Sequence, residues 1–359
     1  MPSKLVSINI VVHNGEKYIR RCLDSILEQS YSHEFIELNI LDNNSTDSTR
    51  EILKSGRWTV DGGQSPKFSL VESRENLGMW PGQEKLLEQS HGKYIIALSV
   101  DVILDKDFIK NAVEVMERDY QIGALQAKVY KYELDHNPIH GHRKTINGSC
   151  DDTEIIDTCG FKIFKSRRIV NIGHGETDSG QYNQKREIFA VEGAVPIFRR
   201  QALEDCRLES QNNQIIDRDY FWYGDDLDLA WRMRLFGWKQ VYAPSVIAWH
   251  DRKTTKTLAG GWKEFIKIRK TIPMFKRRLD LRNTTLTIIK NDFTINLLRD
   301  LPHILWRQLR LGIYFLIFEP SVFLEFFKVA KLLPSMLKRR SEIMSKSNVT
   351  PEELRQWII

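Results

Sequence analysis

The order of apolar and polar segments predicts an α/β fold: a doubly wound, mostly parallel sheet followed by a C-terminal helical extension. Three observations carry this. Short runs rich in β-branched residues alternate with amphipathic segments over residues 5–98. Clusters of short polar side chains follow the runs, at 13–16, 42–47 and 99–101, where the loops of such a sheet converge on a ligand. Beyond Asp251 the chain changes character: residues 252–359 carry 22 Lys and Arg against 9 Asp and Glu, whereas the first 251 residues hold 31 against 38. A charge split of this kind predicts two jobs in one chain.

Residues 5–12 read as a strand, and His13-Asn14-Gly15 as the turn into a helix whose apolar face holds Tyr18, Ile19, Cys22, Leu23, Ile26 and Leu27. A second strand is predicted at 36–41, followed by Asp42-Asn43-Asn44-Ser45-Thr46-Asp47, whose short polar side chains can cap a helix. Strands at 68–72 and 94–98 flank a helix near 83–89, and Asp105 and Asp107 are expected as first-turn acids of the next helix. Residues 131–185 are polar and glycine-containing, an excursion expected to carry a short strand pair. The apolar pattern resumes at 188–198, a helix is predicted over 226–236, and 244–250 is strand-like.

The longest uninterrupted apolar run, 311–318, is far short of the ~20 residues that a membrane-spanning helix needs. Residues 322–333 are apolar except for Glu325, Lys328 and Lys331, whose three-residue spacing makes one narrow polar stripe. Such a helix lies on a membrane or packs in a bundle. The opening residues form no basic-then-apolar leader, which predicts a cytoplasmic location. Cys22, Cys150, Cys159 and Cys206 lack zinc-ligand spacing and are expected as reduced thiols. No strand is followed by GxGxxG or GxxxxGK, which disfavours a dehydrogenase or a kinase.

What the first half offers instead is acidic and amide side chains at strand ends. Ile10-Val11-Val12-His13-Asn14, Leu41-Asp42-Asn43-Asn44-Ser45-Thr46-Asp47, Glu75-Asn76-Leu77-Gly78 and Tyr223-Gly224-Asp225-Asp226-Leu227-Asp228 together resemble family 2 glycosyltransferases, which have the GT-A fold. The resemblance covers roughly residues 5–255 and implies a catalytic domain over 1–255, with 256–359 as a basic amphipathic region at a membrane surface. It implies that Val11 and His13 line a nucleoside pocket, that Asp42 accepts a hydrogen bond from the base, and that Asn76 and Gly78 run alongside the donor. Asp42 as a helix cap, and 75–83 as a plain turn, are the alternatives on residues alone.

Ser99-Val100-Asp101 stands where the family carries a DxD-type metal motif, and only Asp101 is a carboxylate. His250 ends a strand-like run, 24 residues after Asp226, that resembles the segment where related enzymes supply a histidine to the metal, and by that resemblance it joins Asp101 as the expected ligand for Mg2+ or Mn2+, a structural histidine being the alternative. The base that takes the acceptor hydroxyl's proton falls by resemblance on Asp226, with Asp225 in reserve. Glu192-Gly193-Ala194 resembles an acceptor-side turn, and Trp222 and Tyr223 crowd the acidic motif from the same side. Asp157-Thr158-Cys159-Gly160-Phe161 is similar to segments of rhamnosyltransferase-like proteins of cell-surface polysaccharide assembly, and Arg282-Asn283 is similar to a pair in related C-terminal helices, to which packing alone assigns no chemistry.

These features imply transfer of a sugar from a nucleotide diphosphate donor, dTDP-rhamnose among the candidates, to a glycan or polyprenol-linked acceptor at the inner face of the plasma membrane. Two other readings stand beside it. A degenerate GT-A protein would bind donor without transfer. A basic surface-binding protein would use Trp262, Phe265, Phe275 and Trp306 on membrane or nucleic acid, although the acidic first half repels phosphates and argues against nucleic acid. Donor sugar, linkage and oligomeric state are not legible.

Overall fold

The structure, a computed structural model, describes residues 4–55, 58, 65–134, 154–252 and 262–359; Cys150 and the side chains of Trp262 and Phe265 lie outside the described residues. In chain order the elements are β1 (Val6–Val12), α1 (Ile19–Leu27), β2 (Ile36–Asp42), α2 (Thr49–Ser55), β3 (Lys67–Glu72), α3 (Met79–Leu87), β4 (Tyr94–Leu98), β5 (Val102–Leu104), α4 (Phe108–Arg118) and β6 (Ile122–Lys131). There follow β7 (Ile156–Thr158), β8 (Phe161–Ile163), β9 (Ile169–Asn171), β10 (Arg186–Glu187), β11 (Ile197–Arg199), α5 (Arg200–Asp205), α6 (Asp225–Leu235) and β12 (Lys239–His250). The C-terminal helices are α7 (Trp262–Thr271), α8 (Met274–Asn291), α9 (Thr294–Arg299), α10 (Leu301–Phe318), α11 (Pro320–Phe323), α12 (Glu325–Ser345) and α13 (Pro351–Arg355).

The main sheet runs β10-β12-β6-β11-β4-β1-β2-β3, with β5 added to β12 and β7 to β6. β3, β2, β1 and β4 are mutually parallel, as are β6 and β12, while β11 enters antiparallel between β4 and β6. Side chains alternate across each strand and so feed two cores. In β4, Tyr94, Ile96 and Leu98 pack with α1 and α4, whereas Ile95 and Ala97 face the core that holds α6. β8 and β9 are the strand pair expected within the 131–185 excursion.

Two local expectations are corrected. α3 begins at Met79, earlier than expected, because Pro81 falls in its first turn, where the missing N–H has no partner to lose. Asp105 and Asp107 precede α4, whose first turn has no acid: Asp105 accepts from the Asp107 amide (2.9 Å) and Asp107 from the Ser30 hydroxyl (2.6 Å). Cys22, Cys159 and Cys206 are free and buried, and burial pushes the Cys159 and Cys206 thiols up to about 11 and about 12, so they are inert at neutral pH.

The helices after 255 share a core with the sheet-bearing half, through Ile343, Leu354 and Ile358. Fully buried Arg167 bonds Asp292 (2.5 Å) and Asp300 (2.8 Å), and buried Lys290 reaches Asp217 (2.6 Å) and Asp228 (2.9 Å). No helix among the described residues is long and apolar enough to cross a membrane.

Candidate active site

Register decides where the polar side chains go. Val12 pairs with Asp42 and Asp42 with Glu72, so the parallel strands end level and their loops open on one edge. Across the sheet His250 pairs with Val102, which sets the imidazole beside Asp101. The two lie 3.5 Å apart, Nε2 to Oδ2. His250 Nδ1 faces away, 2.9 Å from Asp157 Oδ2, so Asp157 fixes the ring's orientation and leaves Nε2 toward the cleft.

Asp157 is the hub that sequence reasoning did not single out. Arg252 binds both its oxygens (2.7 and 2.9 Å) and extends to Glu192 Oε1 (2.7 Å), while the His174 ring lies 2.7 Å from its carbonyl. Burial works against charge on Asp157, but Arg252, His174 and His250 overcome it and hold the carboxyl well below its usual range. His250 balances the same way: burial opposes its charge, yet Asp101 and Asp157 push it up to about 10. The only sequence signals were Asp157 inside a quoted segment and Arg252 two residues beyond His250.

Asp226 opens α6. Its carboxylate accepts from the Leu227 amide (2.8 Å) and the Gly193 amide (3.0 Å), so the acceptor-side turn and the acidic motif are hydrogen-bonded to each other. A Cβ on Gly193 would stand 2.8 Å from Asp226 Oδ2, so glycine is what lets them meet. Asp225 differs. It is fully buried, neither oxygen has a side-chain or backbone hydrogen-bond partner among the described residues, and burial, then the charge of Asp226, raise its carboxyl well above the usual value. Both features work against charge on Asp225, so the reserve reading of it as the base has less support than Asp226.

The loop before α6 is held under strain. Phe221, Tyr223 and Gly224 have φ of 64°, 77° and 88°, a conformation unfavourable for bulky side chains. Buried Asn283 on α8 donates to the carbonyls of Tyr220 (3.1 Å), Trp222 (2.9 Å) and Tyr223 (2.6 Å), while Arg282 donates to those of Asp219 and Tyr220 (both 3.1 Å) and to Asn283 Oδ1 (2.9 Å). Arg282-Asn283 thus fixes the loop that carries Trp222 and Tyr223.

Asp101, Glu192, Gly193, Trp222, Tyr223, Asp226 and His250 all line one cavity of about 850 Å³, which continues to α8 and α10. The expected donor residues form a separate connected group. Asn43 donates to Asn76 Oδ1 and the Gly78 carbonyl (both 3.0 Å), and its own carbonyl lies 3.0 Å from the His13 ring. Buried Asp42 accepts from the Ser45 amide (3.0 Å) and Arg50 (2.7 Å); Asp47, not Asp42, takes the Thr49 amide that opens α2. Val11 is largely buried against Leu41 and Leu86, beneath the open His13. Gly78, at φ 91°, joins the two groups: a Cβ there would meet the Phe221 carbonyl at 1.9 Å.

Among the described residues no three His, Cys, Asp or Glu side chains converge as a metal cage. Asp101 and His250, once the ring gives up its Nε2 proton, fit the smaller set that a Mg2+ or Mn2+ ion needs when diphosphate oxygens and water complete its shell. Lys276, absent from sequence reasoning, also lines the cavity, with its ammonium 4.5 Å from the Trp222 ring. Burial and the charge of Arg252 lower its pKa, and the charge of Asp101 acts against them.

Known proteins resemble the chain in sequence and in fold. The chain is 20% identical over 266 residues to the poly-beta-1,6-N-acetyl-D-glucosamine synthase of Staphylococcus epidermidis and 21% to that of Staphylococcus aureus strain COL, matches covering 73% of this chain and 53% of each relative. The chain therefore spans about half the length of these curated relatives. The crystal structure of GalNAc-T7 with UDP, GalNAc and Mn2+ superposes with a TM-score of 0.55 at 12% identity, over 80% of this chain and 48% of that one, which shows the GT-A fold. The family profile "Glycosyl transferase family 2" matches residues 7–206, more than half of the chain, and the protein belongs to that family.

Proposed function

We propose that this chain is an inverting, metal-dependent glycosyltransferase that moves a sugar from a nucleotide diphosphate donor to a glycan or polyprenol-linked acceptor in cell-envelope polysaccharide synthesis, at the cytoplasmic face of the plasma membrane. The observation that carries the reading is the one cavity into which Asp101, His250 and Asp226 all open. Asp226 accepts the acceptor hydroxyl's proton as that oxygen attacks the anomeric carbon from the face opposite the departing diphosphate, which inverts the centre. The Gly193 and Leu227 amides fix the plane of the carboxylate for that transfer. Asp101 and His250 would hold a divalent ion, which when bound neutralises charge on the leaving diphosphate. Lys276 brings a further cation to the same place. The nucleoside rests on the group from His13 to Gly78, with Asp42 toward the base, and Glu192, Trp222 and Tyr223 face the acceptor.

Asp226→Asn is expected to lower transfer about 10²–10⁴-fold with donor affinity nearly unchanged, because the base acts in the transition state. Near wild-type turnover would overturn the assignment. Removing metal with EDTA should weaken nucleotide binding in the wild type, and Asp101→Ala and His250→Ala should weaken it without EDTA; equal affinities throughout would exclude both residues from the metal site. A screen of dTDP-rhamnose, UDP-hexoses and GDP-mannose for nucleoside diphosphate release identifies the donor. Binding without turnover across it would favour the degenerate reading.

A further inference from the structure

The groups that an in-line transfer needs stand on different elements. Asp101 directly precedes β5 and His250 ends β12, the strand β5 pairs with, whereas Asp226 lies in the first turn of α6. The leaving diphosphate and the base must sit on opposite faces of one carbon, and a misplacement of about 1 Å costs about 10²-fold in rate. A continuous chain of side chains spans the distance between them. His250 Nδ1 lies 2.9 Å from Asp157 Oδ2, Asp157 takes Arg252 Nε on both oxygens (2.7 and 2.9 Å), and Arg252 Nη2 donates to Glu192 Oε1 (2.7 Å). Glu192 Oε2 accepts from the Ala194 amide (3.0 Å), within the turn whose Gly193 amide holds Asp226 Oδ2 (3.0 Å).

Folding alone does not call for this chain. The backbone of the turn has other anchors: the Glu192 amide donates to Gln126 Oε1 on β6 (2.7 Å) and the Val191 amide to Gln240 Oε1 on β12 (2.9 Å). Asp157 is placed by β7, which pairs with β6. Buried ion pairs contribute little net stability compared with apolar packing, yet Asp157 is sealed from water and the Arg252 and Glu192 side chains are only 12% and 9% exposed. Both Glu192 oxygens are engaged, one by Arg252 and one by its own turn. Arginine suits the middle place, because its planar fork bonds two carboxylates at a fixed spacing, which an ammonium on a flexible stem does not set.

We propose that Arg252 is a positioning residue that couples the metal pair to the base. Through Asp157 it holds the His250 ring with Nε2 toward Asp101, and through Glu192 it holds the turn that carries the hydrogen bond to Asp226. Metal affinity and base placement are linked through these contacts, so by reciprocity a change at the acceptor-side turn reaches the metal. The proposal rests on Asp101, His250 and Asp226 being the metal ligands and the base of one transfer site.

The test uses the full chain, with Mn2+ titrated in the presence of UDP, dTDP or GDP and the free ion followed by electron paramagnetic resonance. Glu192→Gln touches neither metal ligand, leaves Asp157 its arginine, and offers one accepting oxygen where two are used. It should weaken Mn2+ binding about fivefold or more. Hydrolysis of the best donor among dTDP-rhamnose, UDP-hexoses and GDP-mannose should fall about 10²-fold and stay low at saturating Mn2+, because the base is displaced too. Arg252→Lys, which keeps a charge beside Asp157, should give both losses, and the double variant no more than the larger single one, since both cut one chain. Unchanged Mn2+ affinity in Glu192→Gln, with or without a lower melting temperature, would overturn the coupling. Full recovery of hydrolysis at saturating Mn2+ would overturn it as well, and so would losses that multiply in the double variant. A wild type that takes up Mn2+ with none of the nucleotides would instead sink the metal-dependent reading of the site.

Discussion

At the scale of single residues, the site turns on how two neighbouring aspartates are made different. Asp226 is met by two backbone amides at the start of a helix, whereas burial and then the charge of Asp226 raise the Asp225 carboxyl well above its usual value. Gly193 is the partner that positions the first of them. Because a Cβ there would press on Asp226 Oδ2 at 2.8 Å, Gly193→Ala should displace the carboxylate or break the 3.0 Å hydrogen bond. The expected result is a fall in kcat of about 10²-fold, as for other misplacements of a reacting group, with little change in the KM for donor. Steady-state kinetics with both substrates varied decides it, and a change confined to the donor KM would place Gly193 elsewhere in the reaction.

At the scale of elements, α8 holds the loop that carries Trp222 and Tyr223 into the cavity. Asn283 satisfies three carbonyls of a loop whose φ angles its own residues disfavour, so strain in the loop is offset from a helix about 60 residues away in the chain. Asn283→Ala should release the loop, raise the acceptor KM and lower kcat, and cost about 1–3 kcal/mol of stability from the unpaired carbonyls. Asn283→Asp keeps the shape but loses the donors and should do no better; unchanged acceptor kinetics in both variants would reduce the residue to packing. This link shows what could and could not be read from the chain. β1, β2, β4 and α6 were legible because alternation and amphipathic spacing are local. Asp226, Asp101 and His250 came together as the family pattern implies. Asp157, Lys276 and the role of Asn283 were not legible, since each depends on a neighbour 60 or more residues distant that no periodicity encodes.

At the scale of the whole molecule, the basic C-terminal region is bound into the catalytic half as well as packed on it. Glu342 on α12 accepts from the amides of Glu209 (2.8 Å) and Ser210 (2.9 Å), the Ser210 hydroxyl (2.6 Å) and Lys346 (2.7 Å). Burial works against its charge, but Lys346 and the Ser210 and Glu209 donors outweigh it and bring the carboxyl down to about 2. An unfolded glutamate titrates near 4.3, roughly. The folded value is the lower one, so the stabilisation is complete above the unfolded value and is lost as the pH falls toward 2. Glu342→Gln should therefore unfold at lower temperature than wild type at neutral pH, by an amount equivalent to about 1–2 kcal/mol. The gap should hold down to about pH 5 and then close on further acidification. Thermal melts of both proteins across that range measure it, and a gap that stayed constant to the acid end would mean that the clamp between α12 and the catalytic half is not electrostatic.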